Sequence, residues 1–136
     1  MKDNKFETKA IREGYKASQE QEHSAAIFLT SSFTFDSAEQ AAQRFAKEEQ
    51  GNVYSRFTNP TVEAFQNKLA SLEGAESCLA TASGMSAIFA TIMTLSKPGD
   101  HIVASRGMFG TTTVLLNTIV NKFDIEVTFV DLPDLV

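Results

Sequence analysis

The sequence contains no tryptophan, one cysteine and three prolines among 136 residues. With Cys78 alone, no disulfide can close within the chain and no cysteine-based metal cluster can form. Its two histidines, His23 and His101, have no acidic or cysteine partners at metal-ligand spacing, so no metal site is expected. No apolar run approaches the roughly 20 residues that a membrane helix needs. The polar start, MKDNKFETKAIREGY, lacks the apolar centre of a secretory signal. Basic residues are the minority, 12 Lys and Arg against 17 Asp and Glu, for a net charge of -5. That balance argues against nucleic acid or an anionic membrane as a general partner, while allowing a local basic pocket for a phosphate. Together these absences point to a cytoplasmic protein.

Apolar residues make up 43% of the chain and charged residues 21%, as in soluble globular proteins. The eleven Phe are expected to supply a sizeable core. Phe6 to Arg12 reads as a short helix stopped at Gly14, residues 17–24 as polar loop, and Ala25 to Phe35 as extended or irregular chain. A helix is expected from Asp36, as N-cap with Glu39 in a capping box, to a stop at Gly51. Its acidic end, Lys47 to Gln50, is expected to be solvated. Asn59-Pro60 opens a second helix, striped by Val62, Phe65, Leu69 and Leu72 and closed by Gly74.

After Gly74 the pattern changes. Ser77–Thr81, His101–Ser105 and Ile125–Val130 read as strands, and Gly84–Leu95 and Thr111–Val120 as the helices between them. Cys78 is expected to be buried within the first strand. The order β-α-β-α-β implies a parallel sheet with helices on its faces. Three such strands with nothing beyond would leave an open edge, so the chain, which stops at residues 131–136 just after the last strand, is expected to be the N-terminal part of a longer protein.

Three places could carry chemistry. Ser83-Gly84-Met85 follows a strand and opens a helix, where free N–H groups and a partial positive charge bind anions; small residues at such a turn also serve packing alone. Tyr54-Ser55-Arg56 offers a guanidinium fork and a phenol to a phosphate, or forms an ordinary surface loop. Phe109, within Arg106 to Thr111, lies after a strand end, where ligands of open parallel sheets bind. It could stack on a flat ring or simply fill the core. An unrelated nucleotide-binding domain would need a glycine-rich fingerprint and an acid about 20 positions on. Ser83 to Ala87 has one glycine and residues 101–107 no acid, so that reading fits poorly.

Tyr54-Ser55-Arg56, Asn59-Pro60-Thr61, Leu72 to Glu76, Ser83-Gly84-Met85, Pro98-Gly99-Asp100 and Phe109-Gly110 occur in an order that resembles the Cys/Met-metabolism family of pyridoxal-phosphate enzymes, which is cystathionine γ-synthase-like. The resemblance covers nearly the whole chain. Thr8 to Tyr15, Glu22-His23-Ser24 and Thr30 to Ala38 resemble its O-succinylhomoserine sulfhydrylase branch. Cystathionine γ-synthase, cystathionine β-lyase and methionine γ-lyase are the alternatives within the family.

The resemblance implies an α/β fold: an N-terminal arm (residues 1–58) serving the neighbouring subunit, then the start of the parallel-sheet large domain of a fold-type I enzyme (59–136). It implies pyridoxal 5'-phosphate as cofactor. Gly84 and Met85 would donate backbone N–H groups to its phosphate and Phe109 would stack on its ring. Tyr54 and Arg56 would bind the phosphate of the neighbouring subunit, in a homodimer or homotetramer. Much of the family has Tyr at position 109. Phe cannot shuttle a proton, and the departure mildly favours the sulfhydrylase branch, which joins an O-acyl homoserine and sulfide to give homocysteine. The resemblance also places the Schiff-base lysine beyond position 136, since none of the eight lysines here has its context. The chain alone would then be a non-catalytic fragment, able at most to bind a partner subunit.

Overall fold

A computed structural model describes residues 4–132. The chain forms two compact units, divided between Ala80 and Thr81.

In the first unit, helix α1 (Phe6–Arg12) and helix α3 (Pro60–Glu73) pack together. Gly14 follows α1 at φ +96, a conformation that L side chains rarely adopt. A Cβ built there would lie 2.4 Å from the Ala64 carbonyl oxygen, so the chain can leave α1 against α3 only as glycine. Helix α3 begins as its sequence predicts. Asn59 caps it by accepting from the Thr61 N–H at 2.9 Å, Pro60 takes the first position, and Gly74 ends it in the left-handed region at φ 66.

Helix α2 (Ala38–Phe45) starts one residue later than expected. Ser37, not Asp36, is the cap, accepting from the Gln40 N–H at 3.1 Å, while the Gln40 carboxamide reaches back to the Asp36 N–H at 2.9 Å. The cap thus uses Ser37 and Gln40 rather than Asp36 and Glu39, with the return bond from Gln40 going to the Asp36 N–H one residue before the cap. The helix stops at Phe45, short of Gly51. The segment after it is held rather than merely solvated: Glu49 accepts from Arg44 Nε at 2.9 Å and from Gln40 Nε2 at 3.1 Å.

The second unit opens with helix α4 (Gly84–Leu95), capped by Ser83. Strand β1 (His101–Ser105) and strand β2 (Glu126–Val130) pair in parallel, with His101 opposite Glu126 and Ala104 opposite Phe129. The connection between them was expected to be one helix over Thr111–Val120. It is helix α5 (Gly110–Val114), then a π-helical turn over Leu115–Ile119 and a 3₁₀ turn over Val120–Phe123. Ala104, Leu116, Val120 and Ile125 form the buried core of this unit, with Ile92, Met93, Val127 and Phe129 packed around it.

Two expectations fail. Ser77–Thr81 is not a strand, and the sheet has two strands rather than three among the described residues. A strand exists only by pairing, and no neighbour pairs with this segment; Ala80 instead donates its N–H to Gln66 Oε1 at 2.8 Å. Cys78 is accordingly half-buried, not core. Nor does any phenylalanine enter the buried core: seven of the eleven are exposed and four are half-buried. No helix among the described residues is long and apolar enough to cross a membrane.

Candidate functional site

Helix α4 leaves two donors open at its start. Ser83 Oγ accepts from the Ser86 N–H at 3.1 Å, and the Ser83 carbonyl accepts from the Ala87 N–H at 3.1 Å. The N–H groups of Gly84 and Met85 lie in the first turn, where no helix carbonyl can reach them, and they have no partner among the described residues. Nothing lies within 4 Å of a Cβ built on Gly84, and the residue is exposed. The positive end of the helix dipole favours negative charge here.

Phe109 precedes α5, with its carbonyl accepting from the Thr112 N–H at 2.9 Å, and its ring is 76% exposed. Thr112 is buried and its hydroxyl donates to Met85 Sδ at 3.9 Å, tying the start of α5 to the start of α4. In the second unit the start of α4, with its open amides at Gly84 and Met85, is thus linked to α5 through Thr112, and the Phe109 side chain before α5 is left uncovered.

Tyr54 and Arg56 belong to the first unit, in a tight turn where the Tyr54 carbonyl accepts from the N–H groups of Phe57 at 2.8 Å and Thr58 at 3.0 Å. The Arg56 guanidinium sits 4.9 Å from the Tyr54 ring centroid and 5.0 Å from that of Phe57. Two rings thus restrict its rotamers while its N–H groups stay exposed. No carboxylate pairs with it among the described residues, in contrast to Arg44 with Glu49 and Arg106 with Asp131. The Tyr54 hydroxyl also lacks a partner among the described residues.

What sequence reasoning missed is the framework behind this turn. Ser55 donates its N–H to the Ser31 carbonyl at 2.9 Å and its hydroxyl to the Thr30 carbonyl. Asn59, read only as a helix cap, is buried, and its Nδ2 donates to Ser55 Oγ at 3.0 Å and to the Phe28 carbonyl at 3.1 Å. Thr61 Oγ1 accepts from the Phe28 N–H at 2.8 Å. The signal was available: an Asn cap uses only its oxygen, which leaves an amide with two donors needing acceptors if buried.

The open amides at the start of α4 are donors of a kind that suits an anion, and so, separately, is the exposed Arg56 guanidinium of the first unit. The fold is α/β, with such groups open in each unit. Over residues 7–135 the sequence matches the family described as Cys/Met metabolism PLP-dependent enzyme. The chain belongs to that family, whose cofactor is pyridoxal 5'-phosphate.

Its relatives agree. It is 51% identical over 130 residues to the O-succinylhomoserine sulfhydrylase of Pseudomonas aeruginosa, covering 96% of this chain and 32% of that protein. It is 49% identical over 109 residues to the L-methionine gamma-lyase of Fusobacterium nucleatum subsp. polymorphum, covering 80% of this chain and 28% of that protein. Among solved structures it is similar to the chain assigned as an O-acetylhomoserine (thiol)-lyase from Campylobacter jejuni. There the TM-score is 0.87 and the identity 33%, over 97% of this chain and 32% of that one. That structure carries N'-pyridoxyl-lysine-5'-monophosphate at its position 205. The chain spans about a third of the length of the relatives it matches.

Proposed function

We propose that the full-length protein carrying this chain replaces the succinate of O-succinylhomoserine with sulfide: the γ-carbon–oxygen bond breaks, succinate leaves, and a carbon–sulfur bond forms to give homocysteine. The observation that carries this reading is the pair of open amides at Gly84 and Met85, in a chain 51% identical over 130 residues to an O-succinylhomoserine sulfhydrylase. When bound, pyridoxal phosphate supplies an electron sink that stabilises carbanions formed on the amino acid.

The chain's own residues bind and orient that group. The Gly84 and Met85 N–H groups hold the phosphate. The Phe109 ring would lie against the pyridine and help to hold it. Phe109 has no hydroxyl, so no proton passes through it. Tyr54 and Arg56 bind the phosphate held by the neighbouring subunit, which makes a homodimer the smallest active unit. The covalent lysine lies outside these 136 residues, a reading supported by the position of the pyridoxyl-lysine in the C. jejuni chain. The 136-residue chain alone is then inactive, and the whole enzyme works in the cytoplasm.

The test is product analysis with the full-length protein, cofactor, O-succinylhomoserine and sulfide. Homocysteine is the expected product. A protein that makes none, but yields 2-oxobutyrate from methionine or pyruvate from cystathionine, would be a lyase of the same family instead.

A further inference from the structure

We propose that Asn59 is a positioning residue for phosphate recognition: its side-chain amide, acting through Ser55, sets the turn that presents Tyr54 and Arg56. The inference rests on the reading of those two residues as phosphate ligands.

Three observations carry it. Asn59 is 7% exposed and its carboxamide is fully committed, the oxygen to the Thr61 N–H and the nitrogen to Ser55 Oγ and the Phe28 carbonyl. A buried amide with every group used holds one orientation, since any rotation leaves a donor unpaired. Ser55, the residue it grips, stands between Tyr54 and Arg56. It is fixed from three sides: by Asn59 at 3.0 Å, by its own N–H to Ser31 at 2.9 Å, and by its hydroxyl to Thr30. Finally, the side chains that flank Ser55 are exposed and unpaired, with Arg56 steadied only by ring faces at 4.9 and 5.0 Å. Their placement therefore depends on the backbone beneath them, which the Tyr54 carbonyl closes locally and which Ser55 and Asn59 fasten to the rest of the unit. Asn59 also belongs to helix α3 through its cap, so the turn takes its orientation from the most regular element of the first unit.

Thr61 provides an internal control. Its hydroxyl accepts from the Phe28 N–H at 2.8 Å and donates to the Ala26 carbonyl at 3.4 Å, so it fastens the same extended segment without touching Ser55.

The experiment measures dissociation constants of the full-length protein for pyridoxal phosphate and for pyridoxal, which lacks the phosphate. The ratio isolates phosphate recognition from everything else. Asn59→Ser retains a capping oxygen and loses both donors. Ser55→Ala removes the acceptor and gives the same information if Asn59→Ser fails to fold. Arg56→Ala should reduce the preference for pyridoxal phosphate. Asn59→Ser and Ser55→Ala should each reduce it about tenfold, the size of one hydrogen bond to a charged group. Thr61→Val should lower the melting temperature and leave the preference intact. If Arg56→Ala loses the preference while Asn59→Ser and Ser55→Ala keep it, the positioning role is wrong and the phosphate reading stands. If Thr61→Val loses it as much as Asn59→Ser does, Asn59 acts only as a fastener and the role is again wrong. If Arg56→Ala keeps it, the phosphate reading itself fails.

Discussion

Two glycines with opposite surroundings separate fold from function at the scale of single residues. A Cβ at Gly14 would meet Ala64 and Lys68 at 2.4 and 2.6 Å, on a backbone at φ +96. Gly14→Ala should destabilise the full-length protein by at least about 2 kcal/mol, the combined scale of left-handed strain and overpacking, as read in denaturant unfolding. A Cβ at Gly84 would meet nothing within 4 Å. Gly84→Ala should leave stability unchanged or raise it by up to about 1 kcal/mol through the less flexible unfolded chain. On the proposal that the Gly84 amide holds the phosphate, the same change should weaken pyridoxal phosphate binding by adding a methyl group next to that amide. Equal affinity for the cofactor in both variants would remove Gly84 from the site.

Glu22 gives a pH-dependent prediction at the same scale. The backbone N–H of Ser18 donates to it at 2.9 Å and the Ser18 hydroxyl at 2.7 Å, and these bonds hold its carboxyl below the usual carboxylate value. A depressed folded value means that the turn at residues 18–22 is supported at neutral pH and loses that support as pH falls through the Glu22 titration. Ser18→Ala should raise the Glu22 titration midpoint, followed by NMR.

The elements differ in what they require of the chain. Helix α3 was legible because its determinants are local: Asn59, Pro60 and Gly74 act within a few residues. Helix α4 and strand β1 also fall on their expected bounds. The cap of α2 slipped by one because Asp36 and Ser37 are both good caps, and only the Gln40 geometry decides between them. The π-helical turn over Leu115–Ile119 had no signal, since a single widened turn leaves the apolar spacing almost unchanged.

Ser77–Thr81 was misread for a different reason. Its apolar pattern is that of a strand, but pairing is a property of two segments. In the isolated 136-residue chain its amides should exchange with solvent far faster than those of His101–Ser105, with Ala80 slowed by Gln66. If the segment matches β1 in protection, it forms a strand within this chain after all. For the site, residue types and order pointed to Tyr54, Arg56, Gly84, Met85 and Phe109. The bonds from Asn59 to Phe28, from Ser55 to Thr30 and from Thr112 to Met85 span 25 residues or more and could not be read from spacing, whereas the Asn59–Ser55 bond spans four and was within reach of the sequence.

At the scale of the whole molecule, the chain exposes too much apolar surface to stand alone comfortably. Leu29, Leu79, Leu95 and Phe109 are each more than three-quarters exposed, and Val103 and Val130 stay open on the two-stranded sheet. Parallel sheets are ordinarily covered on both faces. The isolated chain should therefore bind a hydrophobic dye and associate at micromolar concentration, whereas the full-length protein should do neither. A monomeric isolated chain that ignores the dye would mean that these surfaces need no cover.

In the proposed dimer Tyr54 and Arg56 serve one site while Gly84 and Met85 of the same chain serve the other. Subunit mixing tests it directly. Full-length Arg56→Ala and Gly84→Val proteins, each inactive as homodimers, are unfolded together, refolded and assayed for homocysteine. A shared site gives one intact centre in each hybrid dimer, so about a quarter of wild-type activity should return on random pairing. If the mixture stays as inactive as its components, Arg56 acts on its own subunit's cofactor and the account is wrong.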